Sequence, residues 1–520
     1  MTSASVQSAN IIRVGDLLDG IVALAEQGVA EIEVTGVKID SRLVCKGDVF
    51  LASEGHVKDG REYVDDAIAA GAVAVLIEKS AESNARSFSQ NDVANVPIIE
   101  VENLRLFFSE IGGRFYGYPS KTLPVVAVTG TNGKTSCTQL IMQYLLLLGQ
   151  HCAVSGTLGV GVDGVFEETP NTTPDAIELQ RHIARWLDEG VDLVAMEVSS
   201  HGLVQGRVAA LRFELAIFTN LTHDHLDYHG SMQAYADAKA ALFRHPGLNF
   251  AVLNSDDSFC QALEKEVAES VQIIRYSSES LSEKRAGVDV WVESPHYHAS
   301  GVNGLLHSPW GDFRFSSPLL GKFNLSNLLA VISSLGALGY PLEKLLRHTP
   351  SLTTVNGRME VLSESLGSDI AVIIDYAHTP DALEQALLAM RLHCGGKLWC
   401  VFGCGGDRDQ SKRPKMGEIV ERNADIVIVT SDNPRHESPD QIIDEILGGV
   451  ERPALVEVDR AKAIEFAIMN AAAGDSILVA GKGHEPYQLY GDKKIPFKDT
   501  DCARLALEKR SGLEIKGGEE

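Results

Sequence analysis

The segment Leu123-Pro-Val-Val-Ala-Val-Thr-Gly-Thr-Asn-Gly-Lys-Thr-Ser136 constrains this chain more than any other. A β-branched apolar run ends in two glycines, a lysine and two hydroxyls, and a helical stretch from Cys137 to Leu148 follows. That order reads as strand, turn and helix N-terminus. Glycine frees backbone N–H groups, and the positive end of the helix dipole adds to them, so the turn suits a polyphosphate. Gly130, Thr131, Asn132, Gly133, Lys134, Thr135 and Ser136 would form the cradle for ATP. Lys134 would reach the outer phosphates and the Thr135 hydroxyl would hold Mg²⁺. The spacing is tighter than G-x-x-x-x-G-K-[ST], because Val128 stands five positions before Gly133. Ordinary small-molecule kinases and GTPases are therefore disfavoured.

A chain of 520 residues exceeds one hydrophobic core, and about three domains are expected. A net charge of −25 disfavours a nucleic-acid partner, since phosphate backbones demand clustered Lys and Arg. An anionic ligand must then be held by local positive charge. The eight cysteines form no C-x-x-C pair, so a zinc framework or redox motif is not indicated, and reduced cytoplasmic thiols are expected. The N-terminus lacks a basic, then apolar, leader, and no apolar run reaches the ~18 residues of a membrane span.

Short apolar runs alternate with helical stretches throughout, which predicts an α/β fold with mainly parallel sheets. Asp48–Ala52 and Ala72–Ile77 read as strands around a helix from Tyr63 to Ala70, and another helix covers Leu104 to Tyr116. Further buried strands are expected at Val191–Val198, Leu215–Thr219 and Phe250–Asn254, with an antiparallel appendage from Val288 to Phe315. A last α/β section follows Asn356-Gly-Arg, with strands at Ala371–Asp375, Lys397–Phe402, Asp425–Thr430 and Asp475–Ala480. Ligands of open α/β sheets sit at the carboxyl ends of strands. The loops after these four strands are thus candidate binding loops.

Several residues admit two readings from the sequence alone. Glu197, near a strand end, is either a second Mg²⁺ ligand or a carboxylate facing solvent. His223, His225 and His229 could approach a zinc ion, but without cysteines or regular spacing a single His near an ATP-linked Mg²⁺ is the better reading. Lys239, within the helical stretch Met232–Phe243, reads by composition as a solvated charge. Arg358 and Asp375 either reach the nucleotide or pair structurally. Arg408 and Arg435 sit in post-strand loops, where guanidinium forks grip carboxylates, and Glu485 on a third loop would complement an ammonium. Together they suit a zwitterionic amino acid bearing an extra carboxylate; a surface salt-bridge network is the rival.

Taken jointly, Gly130-Thr-Asn-Gly-Lys-Thr, Glu197-Val-Ser-Ser-His-Gly-Leu-Val-Gln, Asp224-His-Leu-Asp-Tyr-His-Gly, Asp375-Tyr-Ala-His-Thr-Pro and Asp432-Asn-Pro-Arg435 resemble the Mur ligase family of peptidoglycan synthesis. The likeness runs from about Asp40 to Gly483 and is strongest to the members that add diaminopimelate. It implies three domains: 1–103 binding the UDP-sugar nucleotide, 104–355 a central P-loop ATPase-like domain, and 356–520 a Rossmann-like domain for the amino acid. It implies that Ile39, Ser41, His56, Val57 and Lys58 hold the UDP end of a muramoyl dipeptide. Asn171, Thr172, Thr173, Ser199, Gln205 and Arg207 would hold its sugar and peptide. Asn324 and Asn327 would lie near adenine, with Arg358 and Asp375 also at the nucleotide. Arg408, Asp432, Asn433, Pro434, Arg435, Gly481 and Glu485 would form the diaminopimelate site. Lys239 matches a carbamylated lysine, reversing the compositional reading, and joins Thr135, Glu197 and His225 around Mg²⁺. The stretch Thr353-Thr-Val-Asn-Gly departs from the commoner Pro-Gly hinge.

The implied reaction is ATP-dependent amide ligation through an acyl phosphate, with Lys134, Lys239 and His225 as catalytic positions. UDP-N-acetylmuramoyl-L-alanyl-D-glutamate, meso-diaminopimelate and ATP would be the substrates of a cytoplasmic, monomeric enzyme that closes around them. A lysine-adding relative, a folate polyglutamate ligase and a non-catalytic nucleotide-binding regulator are the alternatives.

Overall fold

A computed structural model describes residues 10–24, 27–55, 59–79, 96–281, 286–298, 300–355, 357–362 and 368–512. His56, Val57 and Lys58 lie outside the described residues. The chain forms two compact units, Met1–Arg275 with Ser333–Ala337, and Tyr276–Ile332 with Leu338–Glu520.

The first unit begins with a parallel sheet of β1 (Gly36–Lys38), β2 (Asp48–Ala52), β3 (Ala74–Glu78) and β4 (Ile98–Val101), in that order. β2 is buried at every position, as expected of a parallel strand covered on both faces. Helix α1 (Val64–Ala70) ends on Gly71, whose φ of 110° and N–H bond to Ile68 O close the turn. This closure uses Gly71 and Ala72, so β3 starts two residues later than the apolar run suggests. Helix α2 (Phe108–Tyr116) follows.

The second sheet of this unit has β5 (Val125–Thr129) near its centre. The other strands are β6 (Cys152–Gly156), β7 (Gly159–Val162), β8 (Val165–Glu167), β9 (Leu193–Glu197), β10 (Leu215–Phe218) and β11 (Phe250–Asn254). Their order is β8-β7-β6-β9-β5-β10-β11, antiparallel at β8-β7-β6 and parallel between β6 and β11. Four helices matter for the site: α3 (Lys134–Leu147), α4 (Ala176–Asp188), α5 (Ser200–Val204) and α6 (Met232–Ala240). α3 starts three residues before the expected Cys137, because the lysine and hydroxyls of the loop form its first turn. Trp186, Phe213, Phe218 and Phe243 anchor the core beneath.

In the second unit, β12 (Val290–His298), β13 (Gly301–His307) and β14 (Phe313–Ser317) form the expected antiparallel appendage. Helix α7 (Lys322–Ala337) follows. A six-stranded sheet comprises β15 (Glu360–Val361), β16 (Ala371–Asp375), β17 (Leu398–Phe402), β18 (Ile426–Thr430), β19 (Leu455–Glu457) and β20 (Ser476–Ala480). The order β15-β16-β20-β17-β18-β19 is parallel except at β15. All four sequence-derived strands of this section are therefore present, within one residue at each end. A hairpin, β21 (Tyr487–Tyr490) and β22 (Lys493–Pro496), lies beyond β20. Helices α8 (Pro380–His393), α9 (Lys412–Asn423), α10 (Pro439–Leu447), α11 (Arg460–Asn470) and α12 (Asp499–Ser511) complete the unit. Among the described residues no helix is long and apolar enough to cross a membrane.

Candidate active site

The loop from Gly130 to Gly133 joins β5 to α3, and Lys134, Thr135 and Ser136 open the helix. Gly130 has a φ of 149°, and a Cβ there would stand 1.9 Å from Thr219 Oγ1. Only glycine satisfies both the conformation and the close approach. The neighbouring strand end fixes the loop: Asn132 N donates to Asn220 Oδ1 at 2.9 Å, and Thr219 Oγ1 donates to Asn132 O at 2.6 Å. Lys134 Nζ donates to the Gly130 and Thr131 carbonyls at 2.9 and 2.8 Å. The ammonium is thus curled over its own loop.

Lys239, on α6, is 1% exposed, which overturns the compositional reading of a solvated charge. Its Nζ donates to Gly130 O at 2.8 Å and lies 4.3 Å from the centre of the Tyr235 ring. Burial, followed by the nearby Lys134 charge, pulls its pKa well below the ordinary lysine value. Desolvation disfavours the charged form of an amine, so burial favours the neutral amine at this position. Tyr235 is a residue that the sequence reading missed; its hydroxyl also meets Thr131 Oγ1 at 3.2 Å.

Glu197, at the end of β9, is buried rather than solvent-facing. Its Oε1 accepts from Thr157 N at 2.9 Å and its Oε2 from Thr157 Oγ1 at 3.1 Å. Thr157 was also missed, although it directly follows the glycine that ends β6. Its hydroxyl reaches Thr172 Oγ1 at 3.2 Å, which links Glu197 to the Asn171–Thr173 segment. Thr173 Oγ1 contacts Ser199 Oγ at 3.0 Å, and the Arg207 guanidinium bonds to Thr173 O and to Gln205 Oε1. Thr172, Thr173, Ser199, Gln205 and Arg207 therefore form one bonded group, whereas Asn171 is exposed beside it. His225, with a φ of 53°, sits at the N-terminus of the turn Leu226–His229. Its ring lies 5.1 Å from that of His201, edge to face. Among the described residues no group of three His, Cys, Asp or Glu side chains could hold a metal ion. Ile39 and Ser41 stand half-buried after β1 and in the 3₁₀ turn Ser41–Leu43.

In the second unit, Asn324 and Asn327 are buried on the first turns of α7. Asp375 ends β16, buried, and accepts from Met359 N and Ala377 N at 2.8 Å each. Burial raises its pKa while the Arg358 charge opposes this. Its carboxyl thus ties the Arg358 segment to the sheet, and the Arg358 guanidinium lies 4.6 Å above the Tyr376 ring.

The loops after β17, β18 and β20 meet at one end of this sheet. Asn433 Nδ2 donates to Glu485 Oε2 at 2.7 Å, and Arg435 NH1 donates to Gly406 O at 2.7 Å. Gly481 has a φ of 119°, and a Cβ there would stand 2.6 Å from Asp432 Oδ2. Arg408 is exposed. Among the described residues neither Arg408 nor Arg435 enters an ion pair, so the salt-bridge network considered for them is absent. The ion pairs of these loops belong to residues that the sequence reading passed over. Arg413, with no exposed surface, pairs with Glu437 at 2.8 Å and Glu445 at 2.7 Å. Lys482, equally buried, pairs with Glu485 at 3.1 Å. Both follow the singled-out residues closely, in stretches dense with charge and glycine.

Behind the same loops lies a fully buried pair, Arg460 on α11 and Asp499 on α12, with Nε–Oδ1 at 2.7 Å. Arg460 also donates to Ser431 O at 3.3 Å and to Ala480 O at 2.9 Å, the residues directly before Asp432 and Gly481.

Three segments match Mur ligase domains: residues 33–116 the family's catalytic domain, 128–335 the middle domain, and 357–483 the glutamate ligase domain. Curated relatives named UDP-N-acetylmuramoyl-L-alanyl-D-glutamate–2,6-diaminopimelate ligase come from Coxiella burnetii, Haemophilus influenzae and Pseudomonas aeruginosa. The Coxiella protein is 43% identical over 92% of this chain and 96% of its own. The Haemophilus protein is 44% identical over 91% and 96%, and the Pseudomonas protein 46% over 93% and 97%. A solved structure of a ligase with that name superposes with a TM-score of 0.74 at 35% identity, covering 96% of this chain and 99% of its own. The Acinetobacter baumannii ligase that carries D-alanyl-D-alanyl in its name has a TM-score of 0.60 at 19% identity, over 92% and 96%, a likeness of fold alone. Matched along nearly its whole length, and built around a glycine-lysine loop at the centre of a parallel sheet, the chain belongs to the Mur ligase family.

Proposed function

We propose that this chain is an ADP-forming ligase that joins meso-2,6-diaminopimelate to the D-glutamyl γ-carboxylate of UDP-N-acetylmuramoyl-L-alanyl-D-glutamate in peptidoglycan synthesis. One observation carries the choice of amino acid. Arg435 and Asn433 share the loop after β18, and Asn433 holds Glu485 from the loop after β20, so a cation and an anion stand at the same end of the sheet. That pattern suits a zwitterion with a further carboxylate, and the shared name of relatives at 43–46% identity supports it.

A carboxylate is a poor electrophile and needs activation. The D-glutamyl carboxylate attacks the γ-phosphorus of ATP, forming an acyl phosphate and releasing ADP. Lys134 and the N–H groups at the start of α3 hold the phosphates and balance the charge that develops, while the Thr131 and Asn132 N–H groups tie the loop to Asn220. The diaminopimelate amine then attacks the acyl carbon, and phosphate leaves from the tetrahedral intermediate. Thr135, Glu197, His225 and a carbamylated Lys239 are the candidate ligands of Mg²⁺. Their mainly oxygen donors, too few to form a protein-only cage, fit an ion that keeps waters and nucleotide oxygens. The ion would supply neutralisation of the transferred phosphoryl group. Carbamylation of Lys239 is supported by its burial and depressed pKa, because CO₂ adds only to a neutral amine.

We assign residues 1–103 to the UDP-linked substrate, 104–355 to ATP and 356–520 to the amino acid. Ile39, Ser41, Asn171, Thr172, Thr173, Ser199, Gln205 and Arg207 bind the muramoyl dipeptide. Asn324, Asn327 and Arg358 bind nucleotide, with Asp375 holding Arg358 in place. Arg408, Asp432, Asn433, Pro434, Arg435, Gly481 and Glu485 bind diaminopimelate. The enzyme acts as a cytoplasmic monomer, where ATP and nucleotide-linked precursors are available. Phosphate release by the purified protein should require all three substrates, and lysine should replace diaminopimelate poorly. Equal use of lysine, or release without the muramoyl dipeptide, would refute the assignment.

A further inference from the structure

Lys482 follows β20 and has no exposed surface, yet its cation lies within the amino-acid loops. Its Nζ donates to Asn433 Oδ1 at 3.1 Å and to Glu485 Oε2 at 3.1 Å. Leu489 N, on β21, donates to the same Asn433 Oδ1 at 3.0 Å. Two donors on one atom fix which end of the amide is oxygen, because the amide nitrogen cannot accept from either. Asn433 Nδ2 is thereby turned onto Glu485 Oε2. Lys482 and Asn433 thus fall on one oxygen of Glu485.

We infer that Lys482 is a positioning residue for the amino-acid pocket: it locks the Asn433 amide as a donor and pins Glu485 by Oε2, which leaves Oε1 for the substrate ammonium. This rests on the diaminopimelate assignment above. Asn433 then offers its second N–H beside Arg435 to a carboxylate, and Glu485 offers a carboxylate oxygen to an amine. The two ends of an α-amino acid are told apart by this fixed polarity. Without the buried cation the amide oxygen keeps only Leu489 N as a donor, and Glu485 loses one of its two anchors. A site residue 1 Å out of place loses affinity for its own ligand first.

The experiment uses the full chain, with each of the three substrates varied in turn in a phosphate-release assay. Lys482→Met keeps the aliphatic stem and removes the cation. Its KM for diaminopimelate should rise by about tenfold to a hundredfold, with KM for ATP and for the muramoyl dipeptide within about twofold of wild type. Diaminopimelate should also cease to raise the melting temperature of the variant, while ATP still does. An unchanged KM for diaminopimelate, or a rise of similar size for all three substrates, overturns the inference. Should Lys482→Met not fold, Lys482→Arg decides by the same split, since its bulkier fork displaces Asn433 and Glu485 while keeping the charge. If wild type couples a different amino acid, the function assignment fails separately, and KM for that amino acid gives the test of Lys482.

Discussion

Lys239 Nζ and Lys134 Nζ share one acceptor, the Gly130 carbonyl, at 2.8 and 2.9 Å. Two amines converging on one oxygen favour the loss of one positive charge. Lys239, the buried member, has the depressed pKa. Incubation with ¹³C-labelled bicarbonate should give a carbamate carbon resonance in wild type that is missing from Lys239→Ala. Ligation by that variant should be abolished, and added CO₂ should not restore it. Full activity in Lys239→Ala would remove the carbamate from the mechanism.

Gly130→Ala tests the cradle. The new Cβ would meet Thr219 Oγ1 at 1.9 Å, in a backbone conformation that side chains rarely adopt. Strain of this kind costs about 1–3 kcal/mol before any steric repair. ADP affinity measured by calorimetry should fall by about tenfold or more, whereas diaminopimelate-dependent stabilisation should persist. Wild-type ADP affinity would contradict the loop assignment.

Arg435→Ala probes selectivity for the far carboxylate. Truncating one partner of a desolvated charge pair costs about 2–5 kcal/mol. KM for diaminopimelate should therefore rise about a hundredfold, with little change in KM for ATP. Parallel losses for both substrates would point to a folding defect.

A pH dependence of stability is expected from His182 on α4, stacked on Trp186 at 5.5 Å. Burial, then the Arg181 charge, lowers its pKa from 6.5 to about 4, against the pull of Glu178. As pH falls below 6.5 the unfolded chain takes up this proton first. The stabilisation is complete above that value and is lost progressively towards pH 4, to a total of roughly 3 kcal/mol. His182→Phe should flatten the stability curve by about one proton in this window. Parallel curves for the two proteins would assign the acid sensitivity elsewhere.

Much of this architecture could be read directly from local pattern. The strands Asp48–Ala52, Phe250–Asn254 and Ala371–Asp375 coincide with uninterrupted apolar runs, and the glycine-lysine loop falls between β5 and α3. What the sequence concealed was long-range. Lys239 sits on a helix rich in alanine, and only the fold carries it to Gly130, 109 positions away. Thr157 acquires a role solely because β6 and β9 are neighbours, bringing it to a carboxylate 40 residues on. Arg413 and Lys482 resemble surface charges in composition. Their burial depends on Glu437 and Asn433, which arrive from other loops. Pattern reports which face of an element is apolar, whereas such pairings are decided by topology.

The buried Arg460–Asp499 pair gives the final helix an unexpected responsibility. Because Arg460 bridges that helix to the tips of two strands, the loops proposed to bind the amino acid are moored to α12. Deleting α12 should cost thermal tolerance through the lost core residues Ala503, Ala506 and Leu507, whereas Asp499→Asn within the full chain should cost substrate discrimination as well, because Arg460 loses its ionic partner. An affinity tag placed after Gly512 leaves this anchorage intact.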